Sequence, residues 1–202
     1  MSRTGIILAG GKSSRMGQNK ALLTIEGATV IERIAHELTK ITDQLLIVTN
    51  TFRDFEFLGI PMVEDMQKGK GPIAGIHAGL TATTTNANLI VACDMPFISS
   101  SLGDFLLTGL DEYQAVIPEL GGQLHPLYGA YRKDALQVVT NALTNNQLRI
   151  RSVLEQLNVQ VVTEELLQRK QIMIKETDMF NMNDPKEYEK ALRVRTKGSE
   201  KR

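Results

Sequence analysis

An α/β fold with a largely parallel sheet is predicted by three observations. Short apolar runs of strand length alternate along the chain with stretches of helical periodicity. One run, Leu89-Ile90-Val91-Ala92-Cys93, is unbroken, as in a strand buried on both faces. The 202 residues suit one compact domain, and there is no internal repeat, low-complexity linker or composition break to divide them.

In chain order, Thr4–Ala9 reads as the first strand, followed by a polar, glycine-containing loop. Thr29–Ile41 reads as a helix: Thr29 with Glu32 makes a capping-box pattern, and Val30, Ile31, Ile34, Leu38 and Ile41 line one face. Gln44–Thr49 is a second strand and the segment around Pro61–Val63 a short third. Gly71-Pro72 opens a helix to about Ala82, because proline suits the first helical position. Asn88–Cys93 is the central strand, Ser99–Leu110 a helix and Gln114–Pro118 a strand. Gly121-Gly122 turns the chain into a strand near Leu127–Tyr131. Lys133–Leu143 and Ser152–Leu157 are helical, with Val159–Val162 a short strand after them. Pro185–Val194 is the last helix, with Asn183 or Asp184 near its cap. The domain is thus expected over residues 1–194. Residues 195–202, where apolar character fades, are expected to form a disordered tail.

Composition narrows the function. Lys plus Arg and Asp plus Glu number 23 each, so the chain lacks the basic excess of a non-specific nucleic-acid binder. A local positive site for a phosphorylated small molecule is compatible with that total. Cys93 is the sole cysteine, which excludes an internal disulfide; ending an apolar run, it reads as a small buried hydrophobe rather than a catalytic thiol. The N-terminal apolar stretch is too short for a signal peptide, and no segment approaches the ~20 apolar residues of a membrane helix. A cytoplasmic protein without nucleic-acid or membrane partners is expected, with a monomer as the default.

Four constellations carry chemistry. Leu8-Ala9-Gly10-Gly11-Lys12-Ser13-Ser14-Arg15-Met16-Gly17 follows the first strand. Adjacent glycines there allow close backbone approach and bare N–H groups, and Arg15 and Lys20 add positive charge, so the loop suits a polyphosphate. The plainer alternative is a glycine turn with solvated basic residues. It is not a P-loop, which needs glycine where Ile6 stands, nor a dinucleotide fingerprint, which needs glycine in place of Lys12. Next, Asp94 in Val91-Ala92-Cys93-Asp94-Met95-Pro96-Phe97 stands just past a buried strand. It either holds Mg²⁺ together with substrate phosphates or caps a turn.

The third is Val63-Glu64-Asp65 with Gly69-Lys70-Gly71-Pro72-Ile73-Ala74-Gly75. Here Gly69 and Gly71 serve either a helix start aimed at an anion or a flexible connection. The fourth is Asn181-Met182-Asn183-Asp184-Pro185, where Asn183 is an N-cap or completes a metal or substrate site. His125, beside Pro126, reads as structural rather than as a general base. Met95, Met179 and Met182 read as packing.

Taken in order, these segments resemble the molybdenum cofactor guanylyltransferase family. The residues that carry the resemblance are Leu8-Ala9-Gly10-Gly11, Ser14-Arg15-Met16-Gly17, Asn19-Lys20-Ala21-Leu22-Leu23, Val48-Thr49-Asn50 and Val63-Glu64-Asp65. They continue with Gly71-Pro72-Ile73-Ala74-Gly75, Cys93-Asp94-Met95-Pro96-Phe97, His125-Pro126-Leu127 and Asn181-Met182-Asn183-Asp184-Pro185, spanning nearly the whole chain. One position departs: the family usually has an acidic residue where this chain has Asn19.

The resemblance implies a single-domain, three-layer, Rossmann-like fold of the nucleotide-diphospho-sugar-transferase type. It implies GTP against Leu8, Ala9, Gly10 and Gly11, with Lys20, Gly71 and Asp94 also on the nucleotide and Asn50 and Asp65 recognising guanosine. Asp94 would bind Mg²⁺ with Asn183 near it, and His125, Asn181 and Asn183 would face the pterin. Arg15, Lys20 and Asp94 would carry the transfer of GMP from GTP to the terminal phosphate of molybdopterin, releasing pyrophosphate. Pathway proteins and recipient molybdoenzymes are the partners it suggests. The rival readings are transfer from CTP to molybdopterin, transfer from another nucleotide to a sugar phosphate, and a silent nucleotide-binding module. The joint presence of Arg15, Lys20, Asp94 and Asn183 speaks against the last.

Overall fold

The computed structural model describes residues 2–10 and 19–199, and within them the chain alternates strand and helix. The strands are β1 (Arg3–Leu8), β2 (Thr24–Ile25), β3 (Ala28–Thr29), β4 (Gln44–Val48), β5 (Met62–Val63), β6 (Ala87–Ala92), β7 (Ala115–Leu120), β8 (Gln123–Leu124), β9 (Tyr128–Arg132) and β10 (Val159–Thr163). The helices are α1 (Val30–Thr39), α2 (Pro72–Ala82), α3 (Ser100–Thr108), α4 (Ala135–Thr144), α5 (Ile150–Leu154), α6 (Glu164–Arg169) and α7 (Pro185–Ser199).

Among the described residues the main sheet runs β10-β7-β9-β6-β1-β4-β5, with β8 paired to β7. β1 is parallel to β4 and β6, β4 to β5, and β10 to β7, while β9 runs antiparallel between β6 and β7. The mostly parallel sheet expected from the sequence is thus present, with one internal reversal. Gly121 and Gly122 (φ 58° and 71°) make that reversal possible, supplying the left-handed backbone of the tight β7–β8 turn.

Helices cover both faces. Ile7, Leu89 and Val91 meet α1 and α3 on one side. Ile6, Leu8 and Ile90 meet α2, and Ala115 and Ile117 share that core with α4 and α5. Each central strand therefore feeds two cores, which is why its sequence lacks polar alternation. Asn88, the polar residue in β6, is fully buried but satisfied: its amide donates to Thr85 O, Asn86 O and Tyr131 O.

The Thr29–Glu32 capping box is formed. Glu32 N donates to Thr29 Oγ1 at 3.3 Å and Glu32 Oε2 accepts from Thr29 N at 2.7 Å. The Thr29 donors hold the Glu32 carboxyl below its ordinary value of 4.5. Thr29→Ala is therefore expected to cost about 1 kcal/mol, lowering the melting temperature by roughly 2–4 °C. A depressed carboxyl stabilises above its unfolded pKa, so the deficit should shrink as pH falls through the lowered folded value. Thermal melts at pH 7 and in acid check both.

Several boundaries differ from the sequence expectation. The Lys133–Leu143 helix begins at Ala135, after Lys133 N, which still donates to Asn86 O at 2.8 Å, and the Asp134 cap; the Lys133 ammonium bonds Leu80 O, Thr81 O and Thr83 O at the end of α2. The Ser152–Leu157 helix sits earlier, as α5, after an extended Arg149. The β2–β3 hairpin, turned by Glu26 and Gly27 at positive φ, and α6, capped by Thr163, are elements beyond those the sequence predicts. α7 continues to Ser199, past the last apolar residue of its sequence pattern, Val194. No helix among the described residues is long and apolar enough to cross a membrane.

Candidate active site

Strand register places the candidate residues in one row. Leu8 pairs with Val48 and with Ala92, and Val48 pairs with Val63. Gly10, Asn50, Asp65 and Asp94 each follow one of these four residues by two positions, at the carboxyl ends of four adjacent parallel strands. Backbone bonds extend the ladder past the strand ends: Ala9 N to Val48 O at 2.9 Å, Cys93 N to Leu8 O at 3.1 Å and Thr49 N to Val63 O at 2.9 Å. From β1 the chain moves outward through β4 and β5, then returns to β6 on the other side of β1. That change of direction puts a switch point between the carboxyl ends of β1 and β6, the crevice where open α/β sheets bind ligands.

Asp94 sits in this crevice, half-buried. Burial raises its carboxyl above the ordinary value, Lys20 opposes the rise and Glu187 adds to it. The β6 exit is tied down, because Met182 N donates to Asp94 O at 2.8 Å. This bond brings the Asn181–Asp184 segment across from the far end of the chain. Lys20, leading a 3-10 turn over Lys20–Leu22, donates from Nζ to Asn183 Oδ1 at 3.2 Å. Lys20, Asp94 and Asn183 thus meet although they are far apart in sequence. The cap of α7 is Asp184, whose Oδ1 accepts from Glu187 N at 2.9 Å. Asn183 is therefore exposed and free of capping duty, while its own N–H donates to the Glu187 carboxylate. Glu187 escaped the sequence reading, yet Asp184 with Glu187 three residues on is a capping-box pattern.

The donors present suit a hard divalent cation. Asp94 and Asn183 offer oxygens, and an incoming cation would relieve a desolvated carboxylate. No group of three His, Cys, Asp or Glu side chains that could hold a metal exists among the described residues. A site with one carboxylate completed by substrate phosphates is the usual habit of Mg²⁺. The Lys20 ammonium donates to Asn183 Oδ1, which keeps a second lone pair for a cation.

On the β4–β5 side, Asn50 is exposed and Asp65 Oδ1 accepts from Gln67 N at 2.8 Å, folding the loop over a cavity of about 480 Å³. Glu64, Met66, Gln67, Lys68 and Lys70 line it. Gly71, at φ 70°, caps α2 just beyond, and Lys70 Nζ pins this loop to Asn146 Oδ1 at 2.5 Å. On the other side, Ala92 N donates to Leu127 O at 2.8 Å, setting the His125–Leu127 loop beside the β6 exit. The His125 ring is 3.4 Å from Leu120 O; since a carbonyl only accepts, Nε2 carries the proton. Asn181 is likewise tethered within its own loop, to Met179 O at 3.4 Å.

Burial pushes the Cys93 thiol up to about 12, so it is inert near neutrality. Met95 and Met182 are buried packing residues, and Met179 is partly so. Gly11 and Arg15 lie outside the described residues.

Gly10 carries a separate signal. Its φ is not left-handed, and an added Cβ would meet no atom of the described residues within 4 Å. Packing against the described residues therefore does not demand glycine there. Gly10→Ala is expected to leave the melting temperature unchanged or slightly higher, while cutting turnover about tenfold or more, because the methyl group would enter the crevice that a substrate fills. Full activity in this variant would remove Gly10 from the site.

The sequence matches the MobA-like NTP transferase domain family over residues 5–161. A protein of Carboxydothermus hydrogenoformans described as a probable molybdenum cofactor guanylyltransferase is 36% identical over 191 residues, covering 95% of each chain. A molybdenum cofactor guanylyltransferase of Desulfosudis oleivorans is 32% identical over 190 residues, covering 93% of each. Among solved structures, molybdopterin-guanine dinucleotide biosynthesis protein A from Archaeoglobus fulgidus superposes with a TM-score of 0.79 at 26% identity, over 96% of this chain and 99% of that one.

Proposed function

The chain belongs to the MobA-like NTP transferase family, and from that premise we propose that it transfers GMP from GTP to the terminal phosphate of molybdopterin. The products are molybdopterin guanine dinucleotide and pyrophosphate. The observation that carries this reading is the row of Gly10, Asn50, Asp65 and Asp94 at the sheet's switch point, faced by the Lys20–Asn183 pair.

The β1 end, beside Gly10, takes the triphosphate, and the Asn50 and Asp65 loops take the nucleoside. The pterin enters from the side of His125, Asn181 and Asn183. An oxygen of its terminal phosphate attacks the α-phosphorus of GTP, and the bond to the bridging oxygen of pyrophosphate breaks in line. The nucleophile is already anionic, so no protein base is needed. Alignment and charge neutralisation are the protein's work. Lys20 shifts from Asn183 to the phosphates, where its charge offsets that of the departing pyrophosphate. Asp94 and Asn183 are the residues that would hold Mg²⁺, whose contribution when bound is to draw charge from the α-phosphate and the leaving group. Arg15 belongs to the same cationic set by resemblance. The setting for this chemistry is the cytoplasm.

With molybdopterin and Mg²⁺, pyrophosphate release is expected with GTP and not with CTP, ATP or UTP; chelation by EDTA should stop it and added Mg²⁺ restore it. Release with CTP would keep the site and overturn the base. Silence with all four would direct the search to a sugar phosphate acceptor or to a binding module.

A further inference from the structure

Lys20 can meet a phosphate only if the short turn that carries it is held in place. Asn19 holds that turn with both ends of its side chain. Its Oδ1 accepts from Ala21 N at 3.2 Å, capping the 3-10 turn, and its Nδ2 donates to Asp54 Oδ2 at 3.1 Å. The amide orientation follows from its partners, because a backbone N–H only donates and a carboxylate only accepts. Asp54 ends the 3-10 turn Phe52–Asp54, directly after the Thr49–Thr51 segment that carries Asn50. That segment is itself anchored: Thr51 N donates to Thr49 Oγ1 at 3.1 Å, and Thr49 Oγ1 reaches Ala9 O at 3.4 Å. Asn19 and Asp54 are both half-buried, so water screens their bond only in part. A capping acceptor alone could be aspartate as readily as asparagine. The donor to Asp54 is what requires the amide.

We propose that Asn19 and Asp54 form a strut that sets the distance between the lysine turn and the Asn50 loop, making both positioning residues for nucleotide transfer. The strut is a statement about this structure; its effect on turnover rests on the function proposed above. The test compares wild type with Asn19→Asp, Asp54→Asn and the double variant, measuring kcat and KM for GTP. Hydrogen exchange at the amides of residues 21–23 and 54–55 is followed in the same proteins. Asn19→Asp sets two carboxylates against each other, and kcat/KM is expected to fall about 10- to 100-fold, mostly in kcat, as reacting groups drift from alignment. Exchange should quicken in both segments together. Asp54→Asn keeps an amide-to-amide bond, so its loss should stay within about threefold. In the double variant the bond re-forms with its polarity reversed, and rate and protection should return to within about threefold of wild type.

A merely structural role predicts instead that the double variant is as impaired as the worse single one, with a matching drop in melting temperature. That result, wild-type behaviour of Asn19→Asp, or faster exchange in one segment only would overturn the strut. A wild-type protein silent with GTP would sink the function reading alone, because the exchange comparison still decides the strut.

Discussion

Asp94→Ala is expected to reduce turnover by about 10³-fold, on the order of 4 kcal/mol of transition-state stabilisation. Asp94 is the carboxylate that directly follows β6, and no group of three His, Cys, Asp or Glu side chains among the described residues could hold a metal in its place. The variant should also fold at least as stably as wild type. Burial raises the Asp94 carboxyl above 3.8, so the folded state binds that proton more tightly than the unfolded chain does. The resulting stabilisation is complete at low pH and is lost as pH rises through the raised value; at pH 7 the buried charge is a cost that alanine removes. A variant that keeps its melting temperature and loses its rate would separate chemistry from folding. Full activity would take the metal site away from Asp94, and a collapse in stability would undo the electrostatic account.

Lys20→Ala is expected to lower kcat/KM for the nucleotide about 10²-fold, with KM raised and kcat reduced together, since the lysine serves both bound triphosphate and leaving pyrophosphate. The same ammonium bonds Asn183 at 3.2 Å and opposes the rise of the Asp94 acid, so its loss also removes a positive charge from beside those groups in the resting protein. Lys20→Arg should rescue little, because a planar guanidinium does not reproduce a compact ammonium beside two other site residues. Steady-state kinetics with GTP and direct nucleotide binding check both variants. Unchanged binding in Lys20→Ala would move the phosphate contact elsewhere.

These expectations rest on residues whose legibility in the sequence differed. The strand ends were readable because central strands need long apolar runs and glycine or acidic residues follow them at once, as after Leu8 and Ala92. The α1 cap was readable because Thr29 and Glu32 are both local partners. Asn183 was ambiguous, since asparagine before a proline-led helix is usually a cap; only the bond from Glu187 N to Asp184 freed it. Asn19 stood out as a departure from a family pattern, but its partner Asp54 belongs to another loop and gave no local sign. Glu187 was missed because its pattern resembles an ordinary helix start.

The sequence alone determined the α/β class, the main strands, the principal helices and the segments that carry polar and charged chemistry, since these depend on periodicity, caps and turns spanning a few residues. Only the tertiary structure decided that β9 runs antiparallel between β6 and β7, that Gly10, Asn50, Asp65 and Asp94 share one row, and that Lys20 meets Asn183. Strand pairing and register are set by which side chains fill the two cores together, a condition spread over the whole chain that no window of neighbouring residues contains.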